Sequence, residues 1–160
     1  RKESSAASDV YKRQAVDRMI AGEYIDTEYE GKQITDEYLE YIHKNKTGAL
    51  LKLCVRMGAI LANANEKDLE KLTKYAEKIG LAFQIKDDIL DVTGNEDILG
   101  KPIGSDKESG KNTFVTLLGL EKAEYILKRH TEVSISALEY FGDKAWFLKE
   151  LAVSLLIREK

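Results

Sequence analysis

Leu81-Ala82-Phe83-Gln84-Ile85-Lys86-Asp87-Asp88-Ile89-Leu90-Asp91-Val92 is the stretch on which the reading of this chain turns. A helix advances about 100° per residue, so Gln84, Asp87, Asp88 and Asp91 stand at i, i+3, i+4 and i+7 and share one polar face. Ala82, Ile85, Ile89 and Val92, with Phe83 and Leu90, make the rest of the surface apolar. A helix apolar on most sides belongs inside a bundle, and its polar face must then look into protein or a cavity. Three carboxylates crowded there repel one another, and each is costly to bury ionised without a partner. A divalent cation removes that cost. Asp87 and Asp91, one turn apart, can both turn toward one ion, and Mg²⁺ takes one or two carboxylates together with waters and substrate phosphates.

Downstream, the helical pattern collapses between Thr93 and Asn112. Gly94, Gly100, Gly104 and Gly110, with Pro102, mark a loop that carries Lys101, Lys107 and Lys111. Upstream, Lys46 and Thr47 sit at a helix break and offer a charge and a hydroxyl of the kind phosphate sites use. Acidic groups, Mg²⁺ and lysines together predict a polyphosphate pocket, in which metal and ammonium groups share the neutralisation of charge. Walker and dinucleotide glycine fingerprints are absent.

The remaining segments read as helices. Ala15–Tyr29 is periodic with Gly22 inside it, at a cost of about 1 kcal/mol against alanine that a close helix contact or ligand approach could offset. Thr35 is an N-cap for Asp36–Lys44. Ala49–Ala64 is strongly apolar, and Asn65 caps a long helix from Glu66 to about Val92 with an expected kink at Gly80. Thr113–Leu118, Leu120–Phe141 and Lys144–Arg158 follow. No strand alternation, hairpin signal or internal repeat appears, so the predicted fold class is all-α.

Composition narrows the function classes. The chain has 160 residues, 43% hydrophobic and 33% charged, which suits one core. Net charge is −3 with no basic face in sequence, so no nucleic-acid partner is expected. The lone cysteine, Cys54, rules out an internal disulfide and fits a reducing compartment. No stretch is long and apolar enough to span a membrane, and the expected location is cytoplasmic. Arg1–Gln14 is polar and weakly patterned, and Asp9-Val10-Tyr11-Lys12-Arg13-Gln14 reads as the translation of a transposon-end sequencing adapter. Residues 1–14 are therefore expected to be non-native, with the genuine chain beginning near Ala15.

Phe83-Gln84-Ile85-Lys86-Asp87-Asp88-Ile89-Leu90-Asp91 resembles the second aspartate-rich motif of the trans-isoprenyl diphosphate synthases, the polyprenyl synthetase family. The bacterial farnesyl and geranylgeranyl diphosphate synthases are most similar. His43-Lys44-Asn45-Lys46-Thr47-Gly48-Ala49-Leu50-Leu51, Leu99-Gly100-Lys101-Pro102-Ile103-Gly104-Ser105-Asp106 and Gly110-Lys111-Asn112-Thr113-Phe114 extend the resemblance in the family's order. It covers about Ala15 to Lys160 and implies the C-terminal portion of an isoprenoid synthase-type helical bundle around a deep cavity, homodimeric in the intact parent.

The resemblance implies Asp87 as a ligand of Mg²⁺ on an allylic diphosphate, with Asp88 and Asp91 completing the acidic face. It implies Lys46 and Lys101 as grips on that diphosphate, Lys111 as a further loop lysine, and Thr47 and Gln84 as oxygens directed toward the allylic carbon. The implied reaction ionises the allylic C–O bond, adds isopentenyl diphosphate and releases a proton. Two departures stand out. The family's first aspartate-rich motif precedes everything in this chain, so the fragment alone is expected to be inactive. Where the family shows Gly-Gln-x-x-Asp, this chain has Gly22-Glu23-Tyr24-Ile25-Asp26. Alternatives are a terpene cyclase and a non-catalytic helical subunit related to the synthases. Cys54 reads as a packed small side chain, His43 as a helix-surface residue, Trp146 and Phe147 as anchors in the core or at an interface, and His130 as a group suited to a helix C-terminal dipole.

Overall fold

Residues 2–95 and 103–159 are described by the computed structural model, with side chains from Asp9 onward. Helices α1 (Lys2–Glu28), α2 (Asp36–Lys46), α3 (Gly48–Leu61) and α4 (Glu66–Thr93) form the first part. Further along the chain come α5 (Ser105–Glu108), α6 (Phe114–Leu118) and α7 (Leu120–Leu138), then a 3₁₀ turn (Glu139–Ala145) and α8 (Trp146–Ile157). Among the described residues there is no strand, and the all-α expectation holds.

Local chemistry starts these helices. The Thr35 hydroxyl accepts from the Tyr38 amide at 3.2 Å, and the Asn65 side chain accepts from the Asp68 amide at 2.9 Å, so both expected caps are formed. Thr113 and Thr116 close a reciprocal capping box at the start of α6. The core lies along α4, which packs against α3 and α7. Leu81, Ala82, Ile85 and Ile89 are buried there with Leu39, Phe114, Leu127 and Leu138. Tyr75 is fully enclosed and donates to the Leu148 carbonyl at 3.0 Å, and burial pushes its phenol up to about 12.

Two glycines set the helix spacing that builds the cavity. α4 continues through Gly80 as one helix; a Cβ at Gly80 would lie 3.1 Å from the Cα of Gly48, so the residue serves a close α3–α4 crossing. A Cβ at Gly22 would meet the Lys46 Cα at 2.8 Å, inside van der Waals contact. The missing methyl lets α1 press on the α2–α3 break and carries Lys46 to its place.

Several expectations need correction. α1 begins at Lys2 rather than Ala15; residues 9–14 are exposed along it, and burial starts at Ala15. α3 stops at Leu61, because Asn63 turns to a φ of 54°. α7 ends at Leu138, and Gly142 with a φ of 58° separates it from α8. Cys54 is exposed, not packed. Trp146 and Phe147, 63% and 60% exposed, lie outside the core of this chain.

Candidate functional site

A cavity of about 270 Å³ opens where α1, α2, α4 and the approach to α6 meet. Asp26, Asp87, Asp88 and Asp106 line it with Lys46 and Lys111, and Gln84, His43 and Thr113 complete the wall. Four carboxylates against two ammonium groups leave an excess of negative charge, which suits a divalent cation. A second groove of about 190 Å³ between α1, α3 and α4 has no carboxylate among the described residues of its wall.

The acids of the α4 face have separate partners. Asp88, 6% exposed, accepts from the Phe114 amide at 2.8 Å through Oδ2, which ties the start of α6 to α4. Asp91, 2% exposed, accepts from the Ser105 hydroxyl at 2.9 Å and the Asp106 amide at 3.2 Å. Its own carbonyl accepts from the Gly104 amide at 2.7 Å, so Asp91 anchors the returning loop twice. Asp87 is the more open carboxylate, with 40% of its side chain exposed. It pairs with the guanidinium of Arg158 and receives a long bond, 3.4 Å, from the Gln84 amide nitrogen. The Thr47 hydroxyl donates to Gln84 Oε1, so Thr47, Gln84 and Asp87 form one chain across the α2–α4 gap.

Lys46 is clamped from α1. Its Nζ lies 2.7 Å from Asp26 Oδ2 and 3.0 Å from Glu23 Oε2. Burial works against its charge, but the hydrogen bonds and charges of Asp26 and Glu23 outweigh that and raise its pKa. Lys111 pairs with Asp106 at 3.1 Å. Asn112 donates to the carbonyls of Tyr29 and Lys32 at 2.9 and 3.1 Å, and the Gly31 amide donates to Gly110 at 2.8 Å, fastening this segment to the end of α1. Lys101 lies outside the described residues.

The profile of the family described as Polyprenyl synthetase matches residues 3–139. The chain belongs to the polyprenyl synthetase family. It is 48% identical over 112 residues to the farnesyl diphosphate synthase of Bacillus subtilis (strain 168), covering 70% of this chain and 38% of that protein. It superposes on geranylgeranyl pyrophosphate synthetase from Pyrococcus horikoshii Ot3 with a TM-score of 0.90 and 25% identity, across 99% of this chain and 61% of that one. Geranyltransferase from Helicobacter pylori, solved with magnesium and isoprenyl diphosphate, gives a TM-score of 0.70 at 31% identity, with coverage of 87% and 45%. The chain thus spans about two fifths of the length of the curated farnesyl diphosphate synthase it matches.

Within this member of the family, the structure gathers Lys46, Gln84, Asp87, Asp88 and Lys111 around one cavity, with Thr47 bonded to Gln84 at its edge. Asp91 stands behind the wall, holding Asp106 and Ser105. Among the described residues no three acidic, histidine or cysteine side chains converge into a ready-made metal site. A divalent cation at this cavity would draw on an α4 carboxylate, with non-protein oxygens completing its shell.

Two further residues, His43 and Arg158, belong to the surroundings of the site. His43 is buried, at 6% exposure, rather than on the surface; its Nε2 lies 3.8 Å from Asp88 Oδ2 and its ring stacks on Phe114 at 5.7 Å. Neither ring nitrogen has a hydrogen-bond partner among the described residues. The apolar-polar pattern of α2 does place residue 43 beside Leu39 and Ile42, a signal that was available. Arg158 also contacts the Phe83 carbonyl at 3.2 Å and stacks over the Phe83 ring at 4.2 Å. No sequence signal joins it to Asp87, which lies on another helix. His130 sits within α7, which runs on to Leu138, so the helix-end reading fails; burial and Lys78 lower its pKa.

Proposed function

We propose that this chain forms the diphosphate-binding part of a magnesium-dependent prenyltransferase, which in the intact parent joins an allylic diphosphate to isopentenyl diphosphate. The observation that carries this reading is the cavity where Lys46 and Lys111 face Asp87 and Asp88. The magnesium and isoprenyl diphosphate held by the Helicobacter pylori relative support it.

Asp87 would hold the metal directly, being the more open of the three carboxylates, while Asp88 and Asp91 would fix the helix and the loop beside it. A bound magnesium ion would supply Lewis-acid neutralisation of the diphosphate as it leaves. Lys46 and Lys111 would donate to phosphate oxygens and stabilise the charge left on the leaving group. Lys101 joins them in this reading on its motif alone. Thr47 would orient Gln84 by donating to its carbonyl oxygen, which keeps the amide dipole turned toward the cavity edge. Buried apolar side chains such as Ile85 and Leu90 would limit the water able to quench a developing allylic cation. Homodimerisation of the parent belongs to the same proposal.

The test is chain elongation by the intact parent with allylic diphosphate, isopentenyl diphosphate and Mg²⁺. Prenyl product that depends on both substrates and on the metal is expected. Cyclised hydrocarbon without isopentenyl diphosphate, or no turnover, overturns the reading.

A further inference from the structure

Lys46 and Lys111, the cavity's two ammonium groups among the described residues, are each engaged by carboxylates of the protein. For Lys111 that carboxylate, Asp106, is itself part of the cavity wall. Lys46 is different. It carries one partner inside the cavity, Asp26, whose side chain is 14% exposed, and a second at the rim, Glu23, whose side chain is 59% exposed and which does not line the cavity.

Two acids on one ammonium leave that corner of the site with a net negative charge. An incoming anion meets repulsion from both carboxylates and an ammonium whose three donors are shared with Asp26 and Glu23. The positions are enforced by backbone packing, because Gly22 sits against Lys46 and places residues 23 and 26 of α1 beside the end of α2. The Glu23 contact is the exchangeable one: an exposed ion pair stands in high dielectric, is screened by salt and contributes little to stability.

We infer that Glu23 is a positioning residue that sets the affinity of the cavity for diphosphate, by competing with the anion for the ammonium of Lys46. It rests on the reading of the cavity as a diphosphate site. A phosphate oxygen arriving at Lys46 displaces the Glu23 carboxylate, while Asp26 continues to hold the ammonium. No covalent step is involved; one charge-assisted contact is given up and another is made. Glu23 thereby tunes the site to ligands that carry enough negative charge, or enough bound magnesium, to win the exchange.

The experiment measures binding of inorganic pyrophosphate with Mg²⁺ to the 160-residue chain by titration calorimetry, for the native chain, Glu23→Gln, Lys46→Met and the double variant. Glu23→Gln is expected to bind about fivefold tighter at low ionic strength, and the gain should shrink as salt is raised. On the Lys46→Met background the same change should shift affinity less than about twofold, because the competitor then has nothing to hold. The ¹⁵N signal of the Lys46 ammonium, assigned by its loss in Lys46→Met, should move in Glu23→Gln and move again with pyrophosphate. Glu23→Gln that binds no tighter than the native chain overturns the inference, as does a gain that persists without Lys46. If neither chain binds pyrophosphate, the reading of the cavity fails with it. If the native chain binds and Lys46→Met weakens binding while Glu23→Gln changes nothing, only the role of Glu23 is lost.

Discussion

Asp88, on the α4 wall of the cavity, and Asp91, behind that wall, accept hydrogen bonds from the main-chain amides of Phe114 and Asp106, and both are almost fully buried. Lys46, on the α1–α2 wall, meets Asp26 and Glu23 through side chains alone, and Glu23 is largely exposed. Main-chain donors cannot leave without unfolding an element, so the first pair is fixed and its loss leaves an orphaned amide. Side-chain ion pairs at a rim exchange partners at small cost, so the second wall can give way to a ligand. Asp87 belongs to α4 by sequence and to the exchangeable class by its partners, since it meets the Arg158 guanidinium and the Gln84 amide. One acidic face on one helix therefore serves two purposes.

The largest expected effect separates those purposes directly. In the intact parent, Asp87→Ala should lower kcat/KM at saturating Mg²⁺ by at least ~100-fold, while the melting temperature of the variant stays close to native. A loss of less than about fivefold would place Asp87 with its structural neighbours. Asp88→Ala should do the reverse in this chain, costing about 3 kcal/mol in a denaturant titration through the orphaned Phe114 amide and the lost link to α6. A cost below about 1 kcal/mol would dissolve the distinction between the walls.

Gly22→Ala probes the contact that sets the second wall. Its added methyl would press on the Lys46 backbone, and an overpacking cost of about 2 kcal/mol is expected from thermal or denaturant unfolding. Stability equal to native would mean that α1 is free to shift, and that the Lys46 clamp does not depend on it.

The smallest effect concerns His130, behind the α4 wall. Burial first, then the charge of Lys78, lower its pKa below the ordinary 6.5. The fold thus favours the neutral ring, so the contribution to stability is present above about pH 6.5 and is lost as pH falls toward the lowered folded value. Unfolding free energy measured between about pH 7.5 and 5.5 should fall more for the native chain than for His130→Gln. Parallel profiles would show that the ring is as well solvated folded as unfolded.

Much of this was legible in residue order. The helix through Leu81–Val92 follows from its periodicity, and Thr35 and Asn65 announce their caps because an N-cap is a bond between residues three apart. Of the loop expected between Thr93 and Asn112, residues 96–102 lie outside the described residues, and Ser105–Glu108 is helical. Cys54 and His43 were misread, since both lie on amphipathic helices where a few tens of degrees of rotation decide between solvent and core. Helix ends at Leu61 and Leu138 were missed because helix-compatible residues continue past both, and the stops are made by Asn63 and Gly142 at positive φ.

The sequence by itself determined the all-α class, the order of the helices, the shared face of Gln84, Asp87 and Asp88, and the family to which they belong. Those are properties of local spacing, and a helix converts spacing into angle in the same way wherever it lies. Only the tertiary structure decided which acid each neighbour would take. The Asp88–Phe114, Lys46–Asp26 and Arg158–Asp87 contacts join residues 26, 20 and 71 positions apart. Their existence depends on how closely α1 rests on α2, and on where α6 begins and α8 ends against α4. Packing at Gly22 and Gly80 settles those distances, and no periodicity encodes them.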